Sequence, residues 1–235
     1  MTVAFDAFAA SASGSTNRSV AINPVGTPRG AAAWLVSSPG SDKGSSATYA
    51  GIAMSEVSGS PNTLAGGEAG HVSCFFLGSS VPTNDPATVA INMTGDGGEN
   101  ILYVVTVTAA ADTQIQDSDG TINSTSSANP SVTLSLGGNA SFCAIGFWSG
   151  QDDVTGIAPL SGWTSRSEND VSTELQAFYT YDTVDTADVT AGWTQAAEDA
   201  VAIAIAISEV AGGAAAFIKM VGNNFRLAGL GGLAS

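Results

Sequence analysis

Apolar residues recur at every second position along much of this chain, in short runs separated by Gly, Pro, Asn, Asp and Ser. A period of two puts the apolar side chains on one face of a strand, whereas a helix needs a spacing of three to four residues. We therefore predict strands separated by turns. The predicted strands cover residues 3–7, 20–22, 31–36, 47–49, 52–57, 71–77, 87–93, 101–109, 113–116, 132–136, 141–148, 173–181 and 201–210.

The order of these runs predicts an all-β fold. They follow one another at intervals of about 10–15 residues, which suits a two-layer sandwich better than a βαβ fold, in which a helix would separate the strands. We expect a two-layer antiparallel β-sandwich, of the jelly-roll or immunoglobulin-like kind, with an extended C-terminal segment. Residues 187–198 could form a helical turn, although Gly192 and the threonines disfavour it.

The clearest predicted strand is residues 201–207. Its odd positions are Val201, Ile203, Ile205 and Ile207, and every even position is alanine. A strand gathers the four β-branched residues on one face, where they form a ridge in the core. The opposite face carries only alanine, so another layer can pack closely against it.

Charge excludes one class of ligand. The 235 residues include 21 Asp and Glu against 6 Lys and Arg, a net charge of -15. Binding to a nucleic-acid backbone needs clustered basic residues, so we expect no nucleic-acid partner. A hydrophobic content of 44% argues against a disordered chain, and a charged content of 11% implies a surface of short polar residues.

The charge is not spread evenly. Residues 1–210 contain all 21 acidic residues and four basic ones, a net charge of -17. Residues 211–235 contain only Lys219 and Arg226 as charged side chains. We therefore divide the chain into a β-sandwich domain, 1–210, and a glycine-rich apolar C-terminal strand or docking arm, 211–235.

No membrane segment is predicted. The most apolar stretch, residues 201–221, is interrupted by Ser208 and Glu209 and then by Gly212 and Gly213. A spanning helix needs about 20 consecutive apolar residues. Residues 1–10 have neither a basic stretch nor a continuous apolar run, so we expect no secretory signal there.

No motif in the sequence specifies catalysis. The single histidine, His71, begins an apolar strand and is interpreted as a core residue, and no nucleophile elbow or phosphate-binding loop is present. We predict no catalytic residue, no cofactor and no enzyme activity. The acidic pairs are interpreted as solvated loop residues, and a carboxylate-dependent polysaccharide hydrolase ranks last among the hypotheses. These pairs are Asp152-Asp153, Asp182 with Asp185 and Asp188, and Glu198-Asp199.

Two acidic turns leave calcium open as a minor alternative, although no metal site is predicted. They are Asp117-Ser118-Asp119-Gly120 and the group Asp96, Glu99 and Asn100. Because Asp-Gly is also a common hairpin turn, the first has a simpler explanation.

The cysteines and tryptophans also have simple explanations. Cys74 and Cys143 occupy core-facing strand positions and are interpreted as buried thiols, with proximity and a disulfide between them left open. The four tryptophans are interpreted as core residues. Trp163 lies in the most loop-like context of the four, so it is the one to consider as a platform for sugar stacking.

Several short segments resemble β-sandwich virion proteins of tailed bacteriophages. The resemblance covers roughly residues 1–210 and rests on the order of strands and turns. Its segments are Tyr49-Ala50-Gly51-Ile52-Ala53-Met54, residues 71–77, Pro86-Ala87-Thr88-Val89-Ala90-Ile91, and Gly192-Trp193-Thr194 before residues 201–207. The C-terminal stretch Gly229-Leu230-Gly231-Gly232-Leu233 is similar to the glycine-rich ends of some such proteins.

The resemblance implies a structural virion protein, with a capsid decoration (cement) protein expected first. Its expected partners are the major capsid protein or other virion proteins, with homo-oligomers in the particle. The expected location is the virion, assembled in the host bacterial cytoplasm. The alternative is a fibre or tail adhesin that binds host-surface glycans.

The C-terminal segment is the expected docking element. An extended arm can pair with a neighbour's sheet edge through main-chain hydrogen bonds. The other possibility is a last strand that folds back on its own domain. The candidate docking residues are Phe217, Lys219, Phe225, Arg226, Leu227, Leu230 and Leu233.

Overall fold

The computed structural model describes residues 2–38, 43–64, 70–83, 85–94, 98–150, 156–171 and 174–210, except for the side chains of residues 119 and 120. The described residues form seventeen strands and no α-helix. None of them belongs to a helix with the length and hydropathy required to cross a membrane. The strands are β1 Ala4–Ala10, β2 Arg18–Ile22, β3 Pro28–Ser37, β4 Lys43–Tyr49, β5 Ile52–Glu56, β6 Asn62–Thr63, β7 His71–Leu77, β8 Ala87–Thr94, β9 Asn100–Thr108, β10 Thr113–Ser127, β11 Ser131–Leu134, β12 Ser141–Ser149, β13 Ala158–Pro159, β14 Trp163–Val171, β15 Glu174–Asp185, β16 Val189–Thr194 and β17 Glu198–Glu209.

The described strands form three antiparallel sheets. The first has nine strands in the order β1-β9-β3-β7-β5-β4-β8-β2, with β6 paired to β7. The second has the order β10-β17-β12-β15-β14, and the third has the order β11-β16-β13. The first sheet curls until β2 lies against β1 and β9, so that the first half of the chain is close to a barrel.

Three apolar cores hold these sheets together. The central core lies between the first and second sheets and contains Trp34, Tyr103, Phe178 and Ile203. The barrel core lies inside the curled first sheet and includes Leu35, Tyr49 and Phe75. The outer core lies between the second and third sheets and includes Phe147, Trp163 and Trp193. The all-β sandwich prediction is confirmed. The structure adds one outer layer on each side of the sandwich: the curled part of the first sheet covers the barrel core, and the third sheet covers the outer core.

The strand β17 joins two of these cores. Its β-branched residues Val201, Ile203, Ile205 and Ile207 are fully buried in the central core. Its alanines Ala200, Ala202, Ala204 and Ala206 are equally buried in the outer core, on the opposite face. The alanine face therefore packs closely against another layer, as its small side chains predict.

The structure corrects the strand prediction in two ways. Each predicted run overlaps a strand, but β6, β13, β14 and β16 were not predicted. Residues 187–198 form no helical turn, because residues 189–194 of this segment pair as β16 with both β11 and β13. The strand β10 also continues beyond the predicted run 113–116 to Ser127, because its polar second half pairs with β17. Sheet pairing gives these weakly apolar segments their extended conformation.

Candidate functional site

An apolar groove lies at one end of the sandwich, where the central core opens to solvent. The groove has a volume of about 350 Å³, and its apolar lining consists of Phe76, Leu77, Ile115 and Val210. Phe76 and Ile115 are partly buried and pack against the central core, while Val210 is 42% exposed. The groove therefore presents a continuation of the core rather than an isolated surface patch.

Part of the groove is formed where Gly78, which follows β7, meets Thr113, the first residue of β10. The amide of Thr113 donates to the carbonyl of Gly78 over 2.7 Å. A Cβ atom at Gly78 would lie 2.0 Å from the Thr113 carbonyl oxygen and 2.5 Å from the Phe76 ring. Because only glycine permits this approach, Gly78 sets the shape of the groove.

A buried polar network lies at the opposite end of the sandwich, around the carboxylate of Glu174. Glu174 is 6% exposed, and its Oε2 accepts hydrogen bonds from Trp148 Nε1 over 2.8 Å and from the hydroxyl of Ser38. Gln176, two residues further along β15, donates from Nε2 to the Glu99 carbonyl over 2.7 Å. These bonds connect the first and second sheets, so the network acts as a structural clamp.

Removing the Glu174 acceptor should destabilise the fold. In Glu174→Ala the buried donors of Trp148 and Ser38 lose their shared acceptor, and each unsatisfied donor costs about 1–3 kcal/mol. Glu174→Gln retains one acceptor oxygen and should lose less. Urea unfolding followed by far-UV circular dichroism measures both, and equal losses in the two variants would contradict the role of the acceptor.

His71 is buried at the start of β7. It is 5% exposed, and its Nδ1 lies 2.8 Å from the hydroxyl of Thr63. Its cross-strand neighbour is Ser37, whereas the following residue, Ser38, contacts Glu174 on the other side of the first sheet. Adjacent residues of a strand face opposite sides, so His71 and the Glu174 carboxylate are separated by the sheet. This arrangement supports the interpretation of His71 as a core residue.

The acidic residues considered for calcium or catalysis cap turns or pair with cations. Asp117 Oδ2 accepts from the Ser135 amide over 2.6 Å, and Asp188 Oδ1 accepts from the Leu136 amide over 3.0 Å. Asp182 forms an ion pair with Arg166 at 2.6 Å. Within the described ranges, no three His, Cys, Asp or Glu residues are grouped closely enough to hold a metal ion. Asp96, Asp152 and Asp153 lie outside the described residues, and the side chain of Asp119 is not described.

All four tryptophans belong to the cores, as the sequence predicts. Trp34, Trp148 and Trp193 are fully buried, and Trp163 is 6% exposed. Trp163 Nε1 donates to the Thr190 carbonyl over 2.8 Å, which fixes the ring against β16. Its ring therefore presents little surface on which a sugar could stack.

The two cysteines are free and buried, and they do not share a core. Cys74 lies in the central core, whereas Cys143 lies in the outer core, on the far side of the second sheet. The interpretation as two buried thiols is confirmed, and the disulfide left open by the sequence is wrong because Cys143 points away from the central core. Burial raises the pKa of Cys74 well above its usual value, and the negative charge of Glu56 adds to the shift.

The buried thiol of Cys143 should make the fold sensitive to high pH. Burial, together with smaller effects of the charges of Asp185 and Asp117, raises its pKa from 9.0 to about 12. Since the pKa is higher in the folded chain, the unfolded chain releases its proton first as the pH rises. The stabilisation that comes from this difference in pKa is fully present below the pKa of the unfolded chain, near 9.0. It is lost as the pH rises towards the pKa of the folded chain, about 12.

Urea unfolding between pH 8 and pH 11 tests this expectation. The midpoint should fall above pH 9, and Cys143→Ala should show a smaller fall than the unmodified protein. Tyr49, whose pKa burial and the charge of Asp6 raise to about 12, should account for part of the remaining fall. An unchanged midpoint up to pH 11 would show that these groups ionise as readily in the folded chain as in the unfolded one.

The predicted docking residues and the groove are different parts of the chain. Phe217, Lys219, Phe225, Arg226, Leu227, Leu230 and Leu233 lie outside the described residues. The groove residues were not singled out by the sequence, because Phe76, Ile115 and Val210 are distant along the chain and each occurs in an ordinary strand pattern. Their one distinguishing signal in the sequence is that Val210 directly follows Glu209, the last acidic residue of the chain.

Comparison with known proteins gives no match. No family model, no curated protein and no solved structure is significantly similar to this chain. The fold and the geometry of the groove therefore supply the arguments for function.

Proposed function

We infer that this protein is a structural component of a tailed-bacteriophage virion, and specifically a capsid decoration protein that binds the shell. The observation that carries this proposal is the change in charge and polarity of the chain at Val210. Up to that residue the chain is an acidic all-β body with a net charge of -17, and beyond it the chain is apolar and contains no acidic residue. Such an arrangement suits a soluble body that docks through its C-terminal end.

The surface of the body is compatible with close packing in a protein lattice. Only 11% of the residues are charged, and short polar residues dominate the exposed positions. Short side chains lose little rotamer entropy when they are held in a contact, whereas each Lys, Arg, Gln or Glu loses up to about 2 kcal/mol. This supports an assembly role, in which many copies contact the shell at low entropic cost.

Deletion of the C-terminal segment tests the docking role. We expect a chain lacking residues 212–235 to fold, because every described strand ends at or before Glu209. When a phage genome encodes this shortened chain in place of the full one, the particles that assemble should not contain it. A second deletion, of residues 222–235 only, should also lose binding because it removes Phe225, Leu227, Leu230 and Leu233.

Matched controls make this test specific. Replacing Asn223 and Asn224 with serine changes the same segment without removing apolar side chains, so particle binding should be retained. Full occupancy of particles by either deleted chain would overturn the docking role. The copy number per particle separates the decoration role, which requires many copies, from the alternative of a glycan-binding fibre or tip, which requires few.

A further inference from the structure

The apolar groove is exposed in the described body, and it lies where that body ends. We propose that it binds residues 214–218 of the same chain, with Phe217 as the side chain that fills it. This inference concerns the isolated protein and does not rest on the proposed role in a virion.

The position of Val210 supports binding within one chain. Val210 lines the groove, and its amide donates to the Asp112 carbonyl over 2.8 Å, which fixes the point where the next segment starts. Phe217 follows seven positions later, an extended reach of about 23–25 Å. Gly212 and Gly213 lie between them and allow the chain to reverse. Such a short tether gives an effective concentration on the order of millimolar, which favours the chain's own segment over that of a second copy.

The groove and the segment match in size and polarity. Residues 214–218 are three alanines followed by Phe217 and Ile218, the first apolar run after Val210. A volume of about 350 Å³ is small for a binding pocket and suits one or two side chains. Three alanines allow the backbone to lie close to the groove, where its amides and carbonyls can meet the polar lining residues Ser55, Ser79, Thr113 and Gln114.

Charge also favours this arrangement. Lys219 directly follows the apolar run, and the groove end of the body carries Glu209 and Asp112 next to Val210 in structure. Asp112 is exposed and lies 3.9 Å from Arg29, and Glu209 is partly buried, so a cation placed near them gains only a modest, salt-dependent attraction. Binding of residues 214–218 leaves Phe225, Leu227, Leu230 and Leu233 free for a neighbouring protein.

Disulfide trapping in the isolated full-length protein tests the proposal. Ser55 is exposed and lines the groove, so Ser55→Cys combined with Ile218→Cys should give an intramolecular disulfide at micromolar protein concentration. Thr133→Cys with Ile218→Cys is the matched control, because Thr133 is exposed on the third sheet. Cys74 and Cys143 are retained since both are fully buried, and peptide mapping identifies the bond that forms.

A link between Ser55→Cys and Ile218→Cys within one chain, at a yield well above the Thr133→Cys control, supports the proposal. A link between two chains would show that the groove takes the segment of a second copy, and equal yields in both pairs would show that it takes neither. Either of these results overturns the proposal.

Thermal unfolding of the two deleted chains gives an independent measurement. Deleting residues 212–235 removes the groove occupant and should lower the melting temperature, whereas deleting residues 222–235 should leave it unchanged. Equal melting temperatures for both deleted chains and the full chain would contradict binding in the groove. Because no particles are used, these results are separate from the particle-binding test of the proposed function.

Discussion

Replacing Trp34 with alanine should lower the free energy of unfolding by about 3–5 kcal/mol, a large fraction of the stability of a typical domain. Trp34 is fully buried between the first and second sheets, and its ring meets that of Phe178 edge-on at 4.8 Å. Its Nε1 donates to the Ile203 carbonyl over 3.0 Å. Truncation therefore leaves a cavity in the central core and removes the donor to that carbonyl.

The packing around Trp34 makes collapse of this cavity difficult. A Cβ atom at Gly146 would lie 2.7 Å from Trp34 Cδ1, so the ring lies directly on the backbone of β12. Trp34→Phe keeps an aromatic ring and should lose less stability than Trp34→Ala. Val25→Ala, at a residue that is 88% exposed, should have almost no effect. Urea unfolding by far-UV circular dichroism measures all three, and a loss below about 1 kcal/mol in Trp34→Ala would contradict this account of the core.

Substitutions on both faces of β17 should be severely destabilising, for opposite reasons. Ile205→Ala should cost about 2–5 kcal/mol because it opens a cavity in the central core. Ala204→Leu should cost about 1–3 kcal/mol because the outer core has no room for a larger side chain. Both residues are fully buried, and Ala204 lies opposite Ile145 of β12.

An alanine-to-leucine substitution at a solvent-facing strand position provides the control for Ala204→Leu. Ala53 of β5 is exposed, so Ala53→Leu should change the free energy of unfolding by no more than about 0.5 kcal/mol. If Ala204→Leu were as harmless as Ala53→Leu, the third sheet would not pack on the alanine face in solution.

The contrast between β17 and β14 shows why some strands were predicted and others missed. The alternation of β-branched residues and alanine in β17 is a local signal, so the sequence alone indicates an extended conformation. In β14, Trp163 and Val171 are buried at the two ends, and the seven residues between them are polar. This segment is a strand because it pairs with β15 along its length, and pairing depends on residues that are distant in sequence.

The candidate site also has one property that the sequence shows and others that depend on contacts between distant residues. The charge step near Val210 is visible in the sequence and indicates which end of the chain differs in character. The groove is not visible there, because it forms where Phe76, Ile115 and Val210, from three distant strands or strand ends, meet at the opening of the central core. The buried network of Glu174 was missed for the same reason, since its donors come from β12 and from the end of β3.

The sequence by itself determined that this protein is an all-β sandwich with an acidic body and an acid-free C-terminal segment. These properties depend on alternation along single strands and on composition, and both are local. Only the tertiary structure decided that four layers enclose three cores, that Cys74 and Cys143 lie in different cores, and that an apolar groove opens beside Val210. Those features depend on which strands pair and which sheet faces pack together. A period of two shows which residues share one face of a strand, but it does not show which other sheet that face contacts.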